Sequence, residues 1–418
     1  MKDATDAPGR LFYYSLTAAL AGFLFGFDTV VISGAEQTIQ RLWNLSAGVH
    51  GIAMGAALYG TVLGSLIGAW PADRFGRRPT LLGVGVLFLV SAIASALAPN
   101  ASFFIVARFV GGLGIGISTV AAPMYISEIA PPAKRGRLAA MFQLNIVLGI
   151  VIAFASNAAL ARIVGGPDAW RWMLGVAAAP SLIYSLMCLG LPESPRWLAM
   201  RAEGVFGDRP ATGFWTWRLR VPIALAFLVA FFNQLSGINA ILYFAPRIFA
   251  LSGLGEQAAL LQSVGIGVTN LVFTFVGLGL IDRLGRRTLL LIGSIGYILS
   301  LGACAWAFYT HHETIVPICI FAFIAAHAIG QGTVIWVLIS EIFPNRYRAA
   351  GQSLGSATHW VFAALLTTVF PLMVTAFHPG AIFLFFTVMM ALQLVWVLTK
   401  VPETKGVPLE EIQRQLGL

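Results

Sequence analysis

The sequence predicts an all-α integral membrane protein with twelve transmembrane helices in two pseudo-symmetric six-helix halves. Three observations carry this. Charge is scarce, apolar runs of membrane length recur along the whole chain, and a set of polar motifs occurs twice at one spacing. Of the 418 residues, 58% are hydrophobic and 10% charged, against about 25% charged in an ordinary soluble domain. So few charges cannot cover a water-facing surface of this size, so most of the exterior must face lipid.

A helix needs about 20 mostly apolar residues to cross a bilayer. Such runs occupy 12–34, 50–72, 80–98, 101–125, 138–161, 170–191, 221–250, 259–281, 288–309, 314–340, 351–376 and 378–400. The polar stretch Met1 to Arg10 lacks the pattern of a cleavable signal, so the first run is expected to remain as a span. Twelve spans put both ends of the chain on one side. Twenty-one of the 26 lysines and arginines fall on that side. Arg41, Arg162, Arg171 and Arg247 fall on the other, and Arg108 lies inside a span. The positive-inside rule makes the rich side, and both ends, cytoplasmic. The same clustering between apolar runs explains the net charge of +9 better than a nucleic-acid surface does.

The repeat divides the chain. Asp73-Arg74-Phe75-Gly76-Arg77-Arg78 returns as Asp282-Arg283-Leu284-Gly285-Arg286-Arg287, 209 residues later. Ser127-Glu128 returns as Ser340-Glu341, and each glutamate is followed seven residues on by an arginine, Arg135 and Arg348. Pro192-Glu193-Ser194 returns as Pro402-Glu403-Thr404. The expected organisation is a first half over 1–191, a cytoplasmic linker over 192–220, a second half over 221–400 and a tail over 401–418. Duplicated halves with a site between them are a transporter architecture.

Asp28 and Arg108 are the clearest charges inside spans, and each costs about 2.5–3.5 kcal/mol near a helix centre if unpaired. Asp28 lies about six residues from one end of its run and Arg108 about seven, so both are roughly 10 Å deep at ~1.5 Å per residue. Two readings stand: a proton site, in which an arginine tunes a carboxylate that charges and discharges, and a structural salt bridge. The first is preferred because a buried carboxylate is a costly way to join helices.

The Asp-Arg-x-Gly-Arg-Arg segments read as short loops whose arginines (Arg74, Arg77, Arg78, Arg286, Arg287) face Glu128, Glu193, Glu341 and Glu403, with Asp73, Asp282, Arg135, Arg196 and Arg348 in the same set. Arginine forks bind carboxylates directionally. A ring of such pairs suits a cytoplasmic gate; the plainer reading is that the arginines only enforce topology. Amides inside apolar runs (Gln143, Asn233, Gln234, Asn239 and Asn270) offer both donors and acceptors, which suits a neutral polyhydroxylated ligand. Trp336 and Trp360 offer flat faces to a sugar ring. The plainer readings are hydrogen bonding between helices and packing. Gly237 permits local unwinding among these amides.

The glycines of Arg108-Phe109-Val110-Gly111-Gly112-Leu113-Gly114-Ile115-Gly116 lie mid-span, so they read as helix packing rather than a nucleotide loop. With four lysines and no phosphate-loop motif, ATP-driven transport is not expected. No Cys/His cluster implies a metal, no cofactor is expected, and no nucleophile–base set implies an enzyme. Cys188, Cys304 and Cys319 read as small core residues.

Asp73–Arg78, Asp282–Arg287, Pro192-Glu193-Ser194-Pro195-Arg196, Gln234-Leu235-Ser236-Gly237-Ile238-Asn239 and Pro402-Glu403-Thr404-Lys405-Gly406 resemble the signatures of the sugar porter family of the major facilitator superfamily, over nearly the whole chain. The resemblance implies that Gln143, Gln234, Asn239, Asn270 and Trp336 hold the sugar, with Phe25 and Trp360 nearby. It also implies that Asp28, in Phe25-Gly26-Phe27-Asp28, stands where proton-coupled members carry their aspartate, with Arg108 as its partner. Departures are Asn233 where glutamine is usual, Ala328 where a glutamate is common in glucose facilitators, His327 where an aromatic is common, His359 where Asn or Gln is usual, and a linker much shorter than the family's cytoplasmic helical domain. The expectation is a proton–monosaccharide symporter of the glucose, galactose or xylose type, acting as a monomer in a bacterial inner membrane. The alternatives are a facilitator of the same fold and, further off, a sugar receptor.

Overall fold

The computed structural model describes residues 8–131, 135–203 and 213–417. Among these, all regular structure is helical, as hydrocarbon requires, because a helix satisfies its own backbone N–H and C=O groups. Twelve helices are long and apolar enough to cross a membrane: α1 (Gly9–Gly34), α2 (Ala47–Ile67), α3 (Arg77–Ala96), α4 (Ala101–Ile129), α5 (Ala140–Ile163), α6 (Ala169–Leu189), α7 (Trp217–Tyr243), α8 (Glu256–Leu284), α9 (Arg286–Tyr309), α10 (Glu313–Ile342), α11 (Arg348–Ala376) and α12 (Pro379–Lys400). Their starts follow local chemistry. Ser46 and Asn100 accept the N–H groups of Val49 and Phe103 as caps of α2 and α4, and Pro379 opens α12 where its missing N–H costs nothing.

The main departure from the expected spans is in α7. Gly237 takes a left-handed φ of 88° and divides it into Arg220–Leu235 and Ile238–Tyr243. A separate short helix, Ala245–Leu251, follows. α10 is likewise interrupted, at Gly330. The Asp-Arg-x-Gly-Arg-Arg segments are not loops. Asp73 and Arg74 belong to a short helix, Ala69–Phe75, Gly76 turns the chain with φ 108°, and Arg77 starts α3. Asp282 lies in the last turn of α8, Gly285 turns with φ 95°, and Arg286 starts α9. Only glycine takes these angles cheaply.

The chain forms two compact units, Met1–Gly207 and Asp208–Leu418. In the first, α1 packs on α5, α2 on α4, and α3 on α4 and α6. In the second, α7 packs on α11, α8 on α10, and α9 on α10 and α12. Adding six to each helix number of the first unit yields the second, so the repeat in the motifs is also a repeat in packing.

Small residues permit that packing. A methyl at Gly112 would collide with the Ala57 carbonyl, one at Gly60 with Phe109, and one at Gly26 with Ile146. In lipid, where apolar contact between helices gains little over contact with acyl chains, such close backbone approach supplies the association. Of the glycines after Arg108, Gly112 and Gly116 therefore form the seam between α2 and α4, while Gly111 and Gly114 face α3. Gly112→Val should force these helices apart, costing about 1–3 kcal/mol or more and lowering the thermal midpoint in detergent. Gly279→Ala, at an α8 position with open space around it, should leave the midpoint unchanged or slightly raised. Equal midpoints for the two variants would contradict the seam.

Candidate functional site

In the first unit, α1 carries Asp28 and α4 carries Arg108, 4% and 2% exposed. Arg108 Nη1 donates to Asp28 Oδ1 at 2.6 Å, and Nη2 donates to the Asp28 backbone carbonyl at 3.0 Å. Asp28 Oδ2 and Arg108 Nε have no hydrogen-bond partner among the described residues. Gly111 and Ser91 lie beside Oδ2: a Cβ on Gly111 would come 3.8 Å from it and collide with Ser91, whose hydroxyl donates to the Ala107 carbonyl. The carboxylate is thus held by one oxygen and keeps the other spare. Phe25 is buried on α1, one turn before Asp28, and Gln143 is half-buried on α5.

In the second unit, the break at Gly237 brings three amides together. Asn239 Nδ2 donates to Gln234 Oε1 at 2.6 Å, and Gln234 Nε2 donates to Asn233 Oδ1 at 2.8 Å. All three are buried. Gln234 Nε2 also lies 3.2 Å from the His359 ring nitrogens. His359 in turn contacts Trp336 and Trp360, with ring centroids 5.3 and 4.6 Å away. Trp336 is half-buried and Trp360 buried. Asn270, on α8, is buried, and its side chain makes no hydrogen bond among the described residues. The six second-unit candidates are uncharged. His359, noted in the sequence only as a departure, is the side chain that links the amides to the tryptophans.

The motif clusters are built within each unit. Arg77 Nε and Nη2 grip both oxygens of Glu128 at 2.9 Å, and Nη1 donates to Asp73 Oδ1 at 3.0 Å and to the Ala72 carbonyl. Arg286 repeats the arrangement on Glu341 at 3.0 and 2.8 Å, on Asp282 at 3.1 Å and on the Ile281 carbonyl. Glu193 and Glu403 differ from the expected guanidinium contact. Glu193 accepts the backbone N–H groups of Arg77, Arg78 and Ser194, and Glu403 those of Arg286, Arg287 and Thr404. The reason is geometric: α3 and α9 each begin with orphan amides and a positive dipole end, which a carboxylate satisfies. Arg78 and Arg287 donate instead to the Leu189 and Leu398 carbonyls.

Arg74, Arg196 and Arg348 form no ion pair among the described residues, and Arg196 is exposed. The side chain of Arg135 lies outside the described residues. The hydroxyls of Ser194 and Thr404, which donate to Glu128 and Glu341 at 2.5 and 2.7 Å, had a signal in the repeated Pro-Glu-Ser/Thr. The buried Glu36–His50 pair, at 2.8 Å, and the Gln331–Gln393–Ser294 chain carried no signal, since neither falls in a repeated motif.

Comparison with known proteins follows the same lines. The family model described as Sugar (and other) transporter matches residues 14–208 and 209–416. The arabinose-proton symporter of Bacillus subtilis is 34% identical over 440 aligned residues, covering 97% of this chain and 95% of the relative. The D-xylose-proton symporter of Escherichia coli is 33% identical over 466, covering 96% and 95%. An inward open structure of the E. coli xylose transporter XylE superposes with a TM-score of 0.86 at 30% identity, covering 97% of this chain and 99% of the other.

Burial separates the two arginine clusters. The side chains of Arg77 and Glu128 are each 3% exposed, those of Arg286 and Glu341 12% and 27%. Glu128→Gln, which leaves the buried Arg77 guanidinium only the partly exposed Asp73 as counter-charge, should cost up to about 3 kcal/mol. Glu341→Gln should cost less because water screens its pair. Thermal unfolding in detergent checks the order; equal or reversed losses would contradict it.

Proposed function

The chain belongs to the sugar transporter family, with the major facilitator fold, and we propose that it is a proton-coupled monosaccharide symporter working by alternating access. Its cargo is a neutral hexose or pentose of the glucose, galactose or xylose class. It acts as a monomer in a bacterial inner membrane, with both ends of the chain cytoplasmic.

The observation that carries the proton role is the Asp28–Arg108 pair. Ionised, Asp28 neutralises a guanidinium that would otherwise sit uncompensated in a low-dielectric interior. A proton on the spare Oδ2 removes that compensation and leaves Arg108 its neutral backbone acceptor. Protonation therefore changes the energy of the α1–α4 contact, which is what coupling requires of a proton site. Relatives named as arabinose-proton and D-xylose-proton symporters support this reading.

The uncharged cargo follows from the amide set. Asn233, Gln234, Asn239, Asn270 and Gln143 supply donors and acceptors without net charge, and Phe25, Trp336 and Trp360 supply apolar faces. An ionic substrate would leave its charge unmatched there. The Arg77–Glu128 and Arg286–Glu341 clusters, with Asp73, Asp282, Glu193 and Glu403, act in the cycle as cytoplasmic anchors that hold helix ends when that side is closed. Arg74, Arg78, Arg196, Arg287 and Arg348 add positive charge on the same side.

The test is reconstitution in liposomes with labelled glucose, and galactose, mannose and xylose as competitors, with and without an inward proton gradient. Accumulation above equilibrium only with the gradient is expected. Asp28→Asn should abolish that accumulation while sparing exchange of labelled for unlabelled sugar. Uptake that only equilibrates makes the protein a facilitator, and accumulation that survives Asp28→Asn removes the aspartate from coupling.

A further inference from the structure

An apolar groove of about 450 Å³ opens at the start of α7. Trp215, Trp217, Arg220, Ile223 and Phe227 line it from the segment before α7 and from α7 itself, with Leu354 of α11 opposite. Trp215 and Trp217 are 75% and 80% exposed. Their neighbour Phe214 is buried, 5.7 Å from Phe343 and 6.4 Å from Tyr347 by ring centroids. Its anchoring holds the tryptophan segment in place.

Three features say what covers this groove. First, the span α7 begins at Trp217, so the tryptophans stand at the depth of an interfacial aromatic belt. Second, the mouth is cationic. The Arg220 guanidinium lies 4.0 Å over the Trp217 ring, Arg218 is exposed beside it, and neither forms an ion pair among the described residues. Third, the floor continues as an aromatic wall. Phe227 stacks on Phe231, and Phe362 of α11 meets both edge-on. From Arg220 to Phe231 is eleven residues, or about 16 Å at ~1.5 Å per residue, close to half of a hydrocarbon core of about 30 Å. A cation at the boundary above an apolar track one leaflet deep has the shape of one phospholipid chain and its phosphate.

We propose that this groove is a binding site for an anionic phospholipid of the adjoining leaflet, with the phosphate held by Arg220 and Arg218 and one acyl chain lying along Ile223, Phe227 and Phe231. The site is independent of the sugar reading. Charge complementarity selects an anionic over a zwitterionic headgroup, and the Arg220–Trp217 contact keeps the guanidinium poised at the boundary.

The experiment is native mass spectrometry of the detergent-purified full chain with phosphatidylglycerol and phosphatidylcholine. Brominated chains of each lipid provide quenchers of tryptophan fluorescence. The expected result is preferential retention of phosphatidylglycerol, with quenching by its brominated form that diminishes in Trp217→Phe. Arg220→Gln should weaken that retention about 5-fold, and adding Arg218→Gln should weaken it further, with a smaller loss for phosphatidylcholine, whose choline offsets the phosphate charge. Equal retention of the two lipids by the unsubstituted protein overturns the proposal. So does undiminished phosphatidylglycerol binding in the double variant, or quenching that Trp217→Phe leaves unaltered. A thermal midpoint within error of the parent's shows that the variants are folded.

Discussion

A charge or an unpaired amide has no water to turn to inside a bilayer, and that constraint governs where nearly every polar residue of this protein sits. Asp28 and Arg108 occupy the hydrocarbon because each supplies the other's counter-charge, at 2.6 Å. Gln234 is fully buried because its carbonyl oxygen takes a hydrogen from Asn239 while its nitrogen gives one to Asn233. Gln331, Gln393 and Ser294 chain their groups for the same reason. The helices themselves obey it, and the breaks at Gly237 and Gly330 fall where neighbouring protein packs against the glycines, Phe386 on the first and Gly293 on the second.

The two arginine clusters show how a repeat is used. A guanidinium gripping a glutamate from another helix, an aspartate four residues before it and a helix-end carbonyl is one solution, built twice in the same atoms. Each cluster fastens three segments: the glycine hinge, the end of α4 or of α10, and the Pro-Glu-Ser/Thr segment that follows the sixth helix of its unit. The copies are not equal in burial, and a buried ion pair is stiff where a half-exposed one is cheap to open. In the proposed cycle that inequality makes the second unit's anchor the easier of the two to release.

The candidate sugar residues and the candidate proton residues answer different demands. A proton site needs a carboxylate whose charge is expensive, hence burial, a single partner and a spare oxygen. A site for a neutral polyol needs many weak, directed groups with no charge to distort them, hence amides and indoles. His359 belongs to the second set through its contact with Gln234. It also contacts Trp336 and Trp360, so it ties the amide network to both indoles.

The sequence by itself determined the twelve spans, the duplication and the membership of the motif sets, because these depend on composition and spacing along one chain. Asp28 and Arg108 were legible as a pair because equal depth in two spans is a one-dimensional quantity. Tertiary structure alone decided which atoms meet. Glu193 and Glu403 read as partners for arginine forks, yet they cap the first amides of α3 and α9, since a positive-φ glycine turns those amides toward them. Ser194 and Thr404, His359, and the Glu36–His50 pair acquired their partners only when helices crossed. A crossing is set by close backbone contacts such as Gly112 on Ala57, and no residue pattern along a single helix records the carbonyl it will meet on another.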